Sequence, residues 1–139
     1  MSNLIVPDVA KIEMAKVTAG IRTISKIDLF QNNYSIVHGT TIANLTVAAF
    51  GGYAQGTMAG ATVAGALDSS SRAVTTWNPV TFTCSGAPLT ESIYGYYVTS
   101  DTGTLLWAET FDNPVVVNLA GIFIQLTPQL TDMSQFLNT

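Results

Sequence analysis

Residues 94–109 read YGYYVTSDTGTLLWAE, two runs of aromatic and aliphatic residues on either side of a turn-like segment. The turn formers at 100–103, Ser-Asp-Thr-Gly, separate the two runs, and this arrangement predicts a β-hairpin. Side chains alternate along a strand, so both faces of this strand pair are predicted to be apolar. A hairpin that is apolar on both faces is typical of the middle of a sheet covered on both sides. The sequence therefore predicts that this hairpin forms the centre of the core.

Residue parity assigns the side chains of the hairpin to its two faces. The first strand is predicted to carry Tyr94, Tyr96 and Val98 on one face and Ile93, Gly95 and Tyr97 on the other. On the second strand, Leu105 and Trp107 are predicted to lie opposite to Leu106 and Ala108. The predicted core of the hairpin consists of Tyr94, Tyr96, Leu105 and Trp107. The alternative is an exposed aromatic platform on which a sugar or a base stacks.

Short runs rich in branched and aromatic residues continue on both sides of the hairpin. Strands are predicted at 74–77, 80–84, 93–99, 105–111, 115–119 and 122–127. Turn-forming Asn, Pro, Gly and Asp residues stand between these runs. The spacing predicts an all-β fold, an antiparallel β-sandwich or barrel-like domain, over residues 27–131. The only cysteine, Cys84, falls on an apolar position of the 80–84 run and is predicted to be a small buried hydrophobe.

The first 26 residues predict a different element, a short helical or extended arm. Asp8 is a candidate N-cap for a helix, and Gly20 is placed to end it. The helix is predicted to turn Val9, Ile12 and Val17 towards one side. Because so short a helix is marginal alone in water, we expect it to pack against the β domain or a neighbouring subunit.

The composition points to an assembly. At 139 residues the chain is long enough for one domain. Charged residues make up 10% of it, against about 25% in an average soluble protein. A monomer with so few charges depends on hydroxyl and amide groups for its solubility, and burial in an assembly removes exposed surface. We therefore expect a homo-oligomer or a complex with a partner protein.

The charges are unevenly distributed along the chain. Four of the five basic residues, Lys11, Lys16, Arg22 and Lys26, lie within the first 26 residues. They predict an interface with an acidic partner, the alternative being a solvated helix face. Phe136 is a further candidate contact, from a loose tail over residues 132–139. The acidic remainder of the chain argues against nucleic acid as a partner, and no apolar run reaches the ~18 residues of a membrane span.

The residues available for catalysis are few. His38 is the only histidine and Cys84 the only cysteine, so neither a triad nor a metal site can be assembled with them. Glu91, Asp101 and Glu109 are candidates for a glycosidase-like carboxylate pair, but solvated strand ends are their expected positions. We therefore expect no enzymatic activity, no cofactor and no metal.

Residues 93–114 resemble a recurrent pattern in small proteins of tailed bacteriophages and prophages. The pattern combines YGYYVT with TGTLLWAE, a following Phe and Pro, and the later segment IFIQLTPQLT at residues 122–131. The resemblance extends upstream to residues 4–7, 29–33, 41–43, 50–54 and 77–82, so that it covers most of the chain. These shared segments are strands, turns and one hairpin, and they bring no catalytic residue with them.

The resemblance implies a virion component, most specifically a cement or decoration protein on the outer surface of the major capsid shell. Its partners would be the major capsid protein and further copies of itself, and it would be made in the cytoplasm of the bacterial host. The N-terminal segment would be an arm or interface element, and the β domain an oligomerising knob. The alternative is a head- or tail-fibre module that binds host surface carbohydrate through its tyrosines and Trp107.

Overall fold

The computed structural model describes residues 5–63, 74–87 and 90–131. The elements in these residues are α1 (Asp8–Thr18), β1 (Ile24–Phe30), a 3-10 helix (Ile42–Asn44), β2 (Gly56–Thr57), β3 (Thr62–Val63), β4 (Val74–Thr76), β5 (Val80–Thr83), β6 (Glu91–Ser100), β7 (Leu105–Val117), β8 (Phe123–Leu126) and β9 (Gln129–Thr131). Every strand pairing among them is antiparallel. The predicted all-β class, with one short helix near the N-terminus, is confirmed.

The strands form one larger and two smaller sheets. The larger sheet has the order β2-β1-β6-β7, and the smaller ones are β3-β4-β9 and β5-β8. The predicted hairpin is the pair β6–β7, whose turn is closed by a 3.0 Å hydrogen bond from the Gly103 N–H to the Ser100 carbonyl. Gly103 has a φ of 82°, a conformation that suits glycine because it has no Cβ.

Two irregularities in this hairpin overturn the face assignments made from parity. Val98 pairs with Trp107 and Thr99 with Leu105, so Leu106 is an extra residue on β7. Such a β-bulge sets two residues of one strand against one of the other and shifts the alternation beyond it. Trp107 therefore packs in the main core, whereas Leu105 packs in a second cluster on the other side of the sheet.

The second irregularity lies at Tyr94. Ile93 pairs with Val115 and Gly95 with Thr110, so residues 111–114 of β7 all stand opposite Tyr94. Tyr94 consequently packs with Tyr97 rather than with Tyr96. The prediction of a turn over 112–114 between two separate strands is wrong, because β7 continues through these residues as a wide bulge. Proline is tolerated in such a place because β7 is an edge strand of its sheet.

The apolar residues form two clusters, one on each side of the β1–β6–β7 part of the sheet. The main core joins residues of all three sheets and of α1, among them Met14, Leu29, Phe82, Trp107 and Leu130. The second core cluster consists of Phe30, Leu45, Tyr97, Leu105 and Ala108. The hairpin is thus buried on both faces, as its composition predicts.

The helix α1 packs against β7. Of the residues predicted on its inner side, Val17 packs against the main core, whereas Val9 and Ile12 do not. Ala10 and Met14 are buried, whereas Val9 and Ile12 are 43% and 71% exposed. The N-cap position is held by Pro7 rather than Asp8, and Gly20, with a φ of 79°, follows the end of the helix. The predicted end is therefore right and the predicted cap is wrong, because the Asp8 N–H is donated to the His38 carbonyl of a distant loop at 2.7 Å.

The N-terminal segment is part of the folded body. Ile5 exchanges two backbone hydrogen bonds with Ala108, at 3.1 and 3.2 Å, and so covers part of the β7 edge. The first strand begins at Ile24, three residues before the predicted start of the β domain at residue 27. Ile5 and α1 therefore pack against the β domain, which is one of the two packings expected for this segment.

The small sheet β5–β8 follows the simple alternation. Phe82 and Ile124 are buried, whereas Phe123 is 62% exposed on the other face. Cys84 lies just beyond β5 and is fully buried, which confirms its interpretation as a small core residue. Strict alternation holds here because β5 and β8 pair residue for residue without a bulge.

Candidate interaction surface

The helix α1 carries apolar side chains on its exposed side, next to the charged Asp8 and Lys16. Ala10 and Met14 point into the core, and Val17 is packed against it. The opposite side exposes Val9, Ile12 and Ala15, at spacings of three residues. We call these three residues the outer face of α1. A helix in a lone soluble domain usually turns charged or polar residues outward, so this face is suited to a contact with another protein.

Further exposed apolar side chains lie at both ends of this helix. The hydrogen bond from Asp8 to His38 brings the neighbouring Val37, which is 53% exposed, close to the start of α1. At the other end, the Ile21 N–H is donated to the Lys16 carbonyl at 2.8 Å, and the Ile21 side chain is 61% exposed. Exposed apolar side chains therefore lie near both ends of α1.

The predicted basic interface residues are mostly engaged within the chain. The Lys11 ammonium lies 3.0 Å from the Asp8 carboxylate, one turn earlier on α1. Lys16 and Arg22 lie 4.0 and 3.6 Å from the Glu13 carboxylate. Lys26 lies on β1 and donates to the Thr57 hydroxyl at 3.3 Å. Each of the four bases thus has a partner within the chain, their role at an interface stays a prediction, and Phe136 lies outside the described residues.

Glu13 fastens α1 to the tip of the β6–β7 hairpin. Its Oε2 accepts hydrogen bonds from the hydroxyls of Ser100 and Thr102, at 2.6 and 2.7 Å. These two hydrogen bonds, with smaller contributions from Arg22 and Lys16, lower the pKa of the Glu13 carboxyl, although its burial acts in the opposite direction. The sequence prediction missed this residue because nothing local shows that the helix and the hairpin turn meet.

The other carboxylates are held separately, by partners of structural character. Glu109 is 4% exposed and accepts a hydrogen bond from the Tyr96 hydroxyl at 2.9 Å, and its burial raises the pKa of its carboxyl. Asp28 binds the Tyr53 hydroxyl and the Gln55 amide nitrogen, each at 2.6 Å. The two networks provide hydrogen-bond partners for buried polar groups within the fold.

The remaining acidic candidates from the sequence bind backbone groups. Glu91 accepts from the Ala49 N–H at 2.8 Å, and Asp101 accepts from the Thr23 N–H at 3.2 Å. Within residues 5–63, 74–87 and 90–131, no three His, Cys, Asp or Glu side chains are grouped as a metal site requires. The absence of enzymatic activity stays a prediction.

The predicted core residues of the hairpin do not all share one environment. Trp107, Leu105 and Tyr96 are 0%, 1% and 7% exposed, and the Trp107 ring lies 5.9 Å from that of Trp77. Tyr94, in contrast, is only half-buried, because the bulge of β7 leaves it uncovered. An aromatic platform that includes Trp107 is therefore excluded, and Tyr94 is the tyrosine of the predicted core that reaches the surface.

Tyr94 lines a groove of about 520 Å³ between the bulge of β7 and the loop that follows β1. We call it the Tyr34–Tyr94 groove. Its lining residues are Ile5, Asn33, Tyr34, Ser35, Ile36, Tyr94, Thr110, Phe111, Asp112 and Pro114. The aromatic rings of Tyr34, Tyr94 and Phe111 and several short polar side chains thus line one depression of the surface.

Comparisons of the chain with protein-family models, with curated proteins and with solved structures found no match. None of the helices in the described part of the chain has the length and apolar character needed to cross a membrane.

Proposed function

We propose that the protein is a structural virion protein of a tailed phage, which decorates the outer surface of the capsid shell and stabilises it. The resemblance of residues 93–131 to small phage proteins supplies the virion context of this proposal. Its partners are the major capsid protein and further copies of the same chain.

The observation that carries the proposal is the apolar outer face of α1. Ile12, at its centre, is 71% exposed, and Val9 is 43% exposed. Covering such side chains with a partner protein removes apolar surface from water, at about 25 cal/mol for each Å². The helix is also a rigid element for docking, because its inner face is anchored in the core and Glu13 ties it to the hairpin.

The low charge of the chain supports the same role. Only 14 of the 139 residues are charged, and the described bases of the N-terminal segment are paired or hydrogen-bonded within the chain. The contact with the shell is then mainly apolar, and its strength depends little on salt. An oligomer binds the symmetric shell through more than one subunit. Its overall affinity for the shell therefore exceeds that of each single contact.

Binding of the purified protein to capsid shells that lack it tests this proposal. Ile12→Glu places a charge on the outer face of α1 and is expected to weaken shell binding at least tenfold, without unfolding an already exposed site. Leu119→Glu is the matched control, since Leu119 is 64% exposed but lies between β7 and β8, away from the helix. We expect the control to bind like the wild type.

Two results contradict the proposal. One is a virion whose protein inventory lacks this chain, and the other is equal shell binding by the two glutamate variants. Light scattering of the eluted protein measures its oligomeric state in the same experiment, and a strictly monomeric protein contradicts the self-association in the proposal.

A further inference from the structure

We propose that the Tyr34–Tyr94 groove is a binding site for a short neutral oligosaccharide. This site is independent of the outer face of α1 and adds a recognition function to the proposed structural one. The volume of about 520 Å³ lies within the range of about 300–1,000 Å³ that is usual for small-molecule sites.

The floor of the groove is aromatic and fixed in position. Tyr34, Ile36 and Tyr94 pack on the second core cluster, yet each remains half-buried rather than covered. The two tyrosine rings are therefore partly packed on the protein and partly exposed at the groove. A pyranose ring presents C–H bonds on its faces, and these stack on the electron-rich face of an aromatic ring.

One wall of the groove is the bulge of β7. Residues 111–114 stand opposite the single residue Tyr94, so they arch away from β6 instead of pairing with it. This departure from the regular sheet is what uncovers the Tyr94 ring. Bulges often reorient side chains next to functional sites, and here the bulge contributes Phe111 and Asp112 to the lining.

The opposite wall is a loop that is held at both of its ends. The Asn32 side chain donates to the Asn44 carbonyl at 2.9 Å and accepts from the Thr46 N–H at 2.8 Å. At the other end, Thr40 is fully buried and its hydroxyl accepts from the Val37 N–H at 2.9 Å. Tyr34 and Ser35 lie between these anchors, so little conformational entropy remains to be lost when a ligand binds.

The polar groups of the lining match the edge of a sugar ring. The Asn33 and Ser35 side chains are exposed at the groove and offer both donors and acceptors. A pyranose carries hydroxyl groups around its edge, and each of them can both donate and accept a hydrogen bond. The aromatic floor and the polar rim together therefore select a carbohydrate.

The charge of the lining excludes anionic ligands. Asp112 is the charged residue in it, and no lysine or arginine is present among the described lining residues. A phosphate or a sialic acid would therefore find no basic side chain among these lining residues. Aromatic rings also stack with nucleobases, but nucleic-acid sites combine them with basic residues that follow the backbone. The groove is consequently assigned to neutral sugars.

A glycan array with neutral gluco-, galacto- and manno-oligosaccharides and with sialylated oligosaccharides tests the proposal, followed by calorimetric titration of the neutral glycans that bind. Tyr34→Ala removes part of the floor and is expected to weaken binding about tenfold. Asn33→Ala removes one polar partner at an exposed site and is expected to weaken binding about threefold to tenfold. Phe123→Ala is the matched control, an exposed aromatic residue far along the chain on β8, and is expected to have no effect.

Binding of a neutral glycan that both groove variants weaken and the control retains supports the proposal. If Tyr34→Ala does not fold, as shown by its circular dichroism spectrum, Asn33→Ala decides alone. The proposal is overturned by an array on which no neutral glycan binds, by a preference for sialylated glycans, or by variants that bind like the wild type. Ile12→Glu is expected to keep glycan binding, so failure of the groove and failure of the shell contact are distinguishable.

Discussion

Replacing Trp107 by alanine measures whether the β6–β7 hairpin is the centre of the core. Trp107 is fully buried in the main core, next to Trp77. Its strand, β7, pairs with β6 on one edge, and Ile5 covers part of the other edge. The alanine variant leaves a cavity that the surrounding sheet cannot close, because both neighbours of β7 are fixed by backbone hydrogen bonds. Truncation of a buried tryptophan under such conditions costs about 3–5 kcal/mol.

That loss is a large part of the total stability of a single domain, about 5–15 kcal/mol. With a urea m-value of about 1.5 kcal/mol/M, the unfolding midpoint is expected to fall by about 2–3 M. The fluorescence of Trp77 reports the transition in the variant, since Trp77 is itself only 6% exposed. The exposed Phe123→Ala serves as the control and is expected to stay within about 0.5 kcal/mol of the wild type.

An alanine variant at position 107 whose midpoint matches that of the control refutes this account of the core. If Trp107→Ala does not fold at all, Trp107→Phe keeps a ring in the cavity and is expected to show a smaller loss that can be measured. If the Phe variant and the alanine variant are both as stable as the wild type, the packing of Trp107 does not stabilise the fold.

Three further predictions concern single side chains. Glu13→Gln is expected to lower the free energy of unfolding at pH 7. The folded state lowers the pKa of Glu13, so its carboxylate stabilises the fold above the unfolded-state pKa of about 4.3. This stabilisation is lost as the pH falls through the folded-state pKa. Urea midpoints of the two proteins, measured from pH 7 to pH 2.5, should therefore converge at low pH, and a constant difference contradicts the hydrogen bonds to Ser100 and Thr102. For Glu109 the sign is reversed: burial raises its folded-state pKa, so the ionised form costs stability as the pH rises, and Glu109→Gln is expected to be at least as stable as the wild type at pH 7 in thermal melts. A Glu109→Gln variant that is much less stable at pH 7 shows instead that the charge is needed. Gly95→Ala is expected to cost about 1–3 kcal/mol, because a Cβ there overlaps the Glu109 carbonyl oxygen and approaches the Phe30 ring to 2.6 Å. Its control is Gly39→Ala, at a position where a Cβ meets no atom within 4 Å, and equal urea midpoints for the two variants contradict the close packing of β1 on β6.

The strands and the central hairpin could be predicted because their signals are local. Branched and aromatic residues in short runs, separated by turn formers, indicate strands whatever their partners are. The same is true of Cys84 and of the alternation in β5 and β8, where an unbroken register preserves the period of two. The end of α1 at Gly20 also follows from one residue and its φ.

The candidate surfaces could not be predicted in the same way. The orientation of α1 depends on which of its two apolar faces meets β7, and the sequence contains no signal to distinguish Val9 and Ile12 from Ala10 and Met14. The predicted basic interface stays a prediction. Glu13, which lies near two of its bases, pairs with a turn 87 residues away, and no local signal in the sequence shows that contact.

By itself the sequence determined the all-β class, the hairpin and the lack of charge that favours an assembly, because each of these follows from the local period and composition of the chain. The tertiary structure alone decided where the alternation breaks. Bulges at Leu106 and opposite Tyr94 exist only as a relation between two paired strands, and they move Trp107 into the main core while uncovering Tyr94 at the groove. The pairing register, which depends on contacts across the sheet, therefore determined which aromatic residues became core and which became surface.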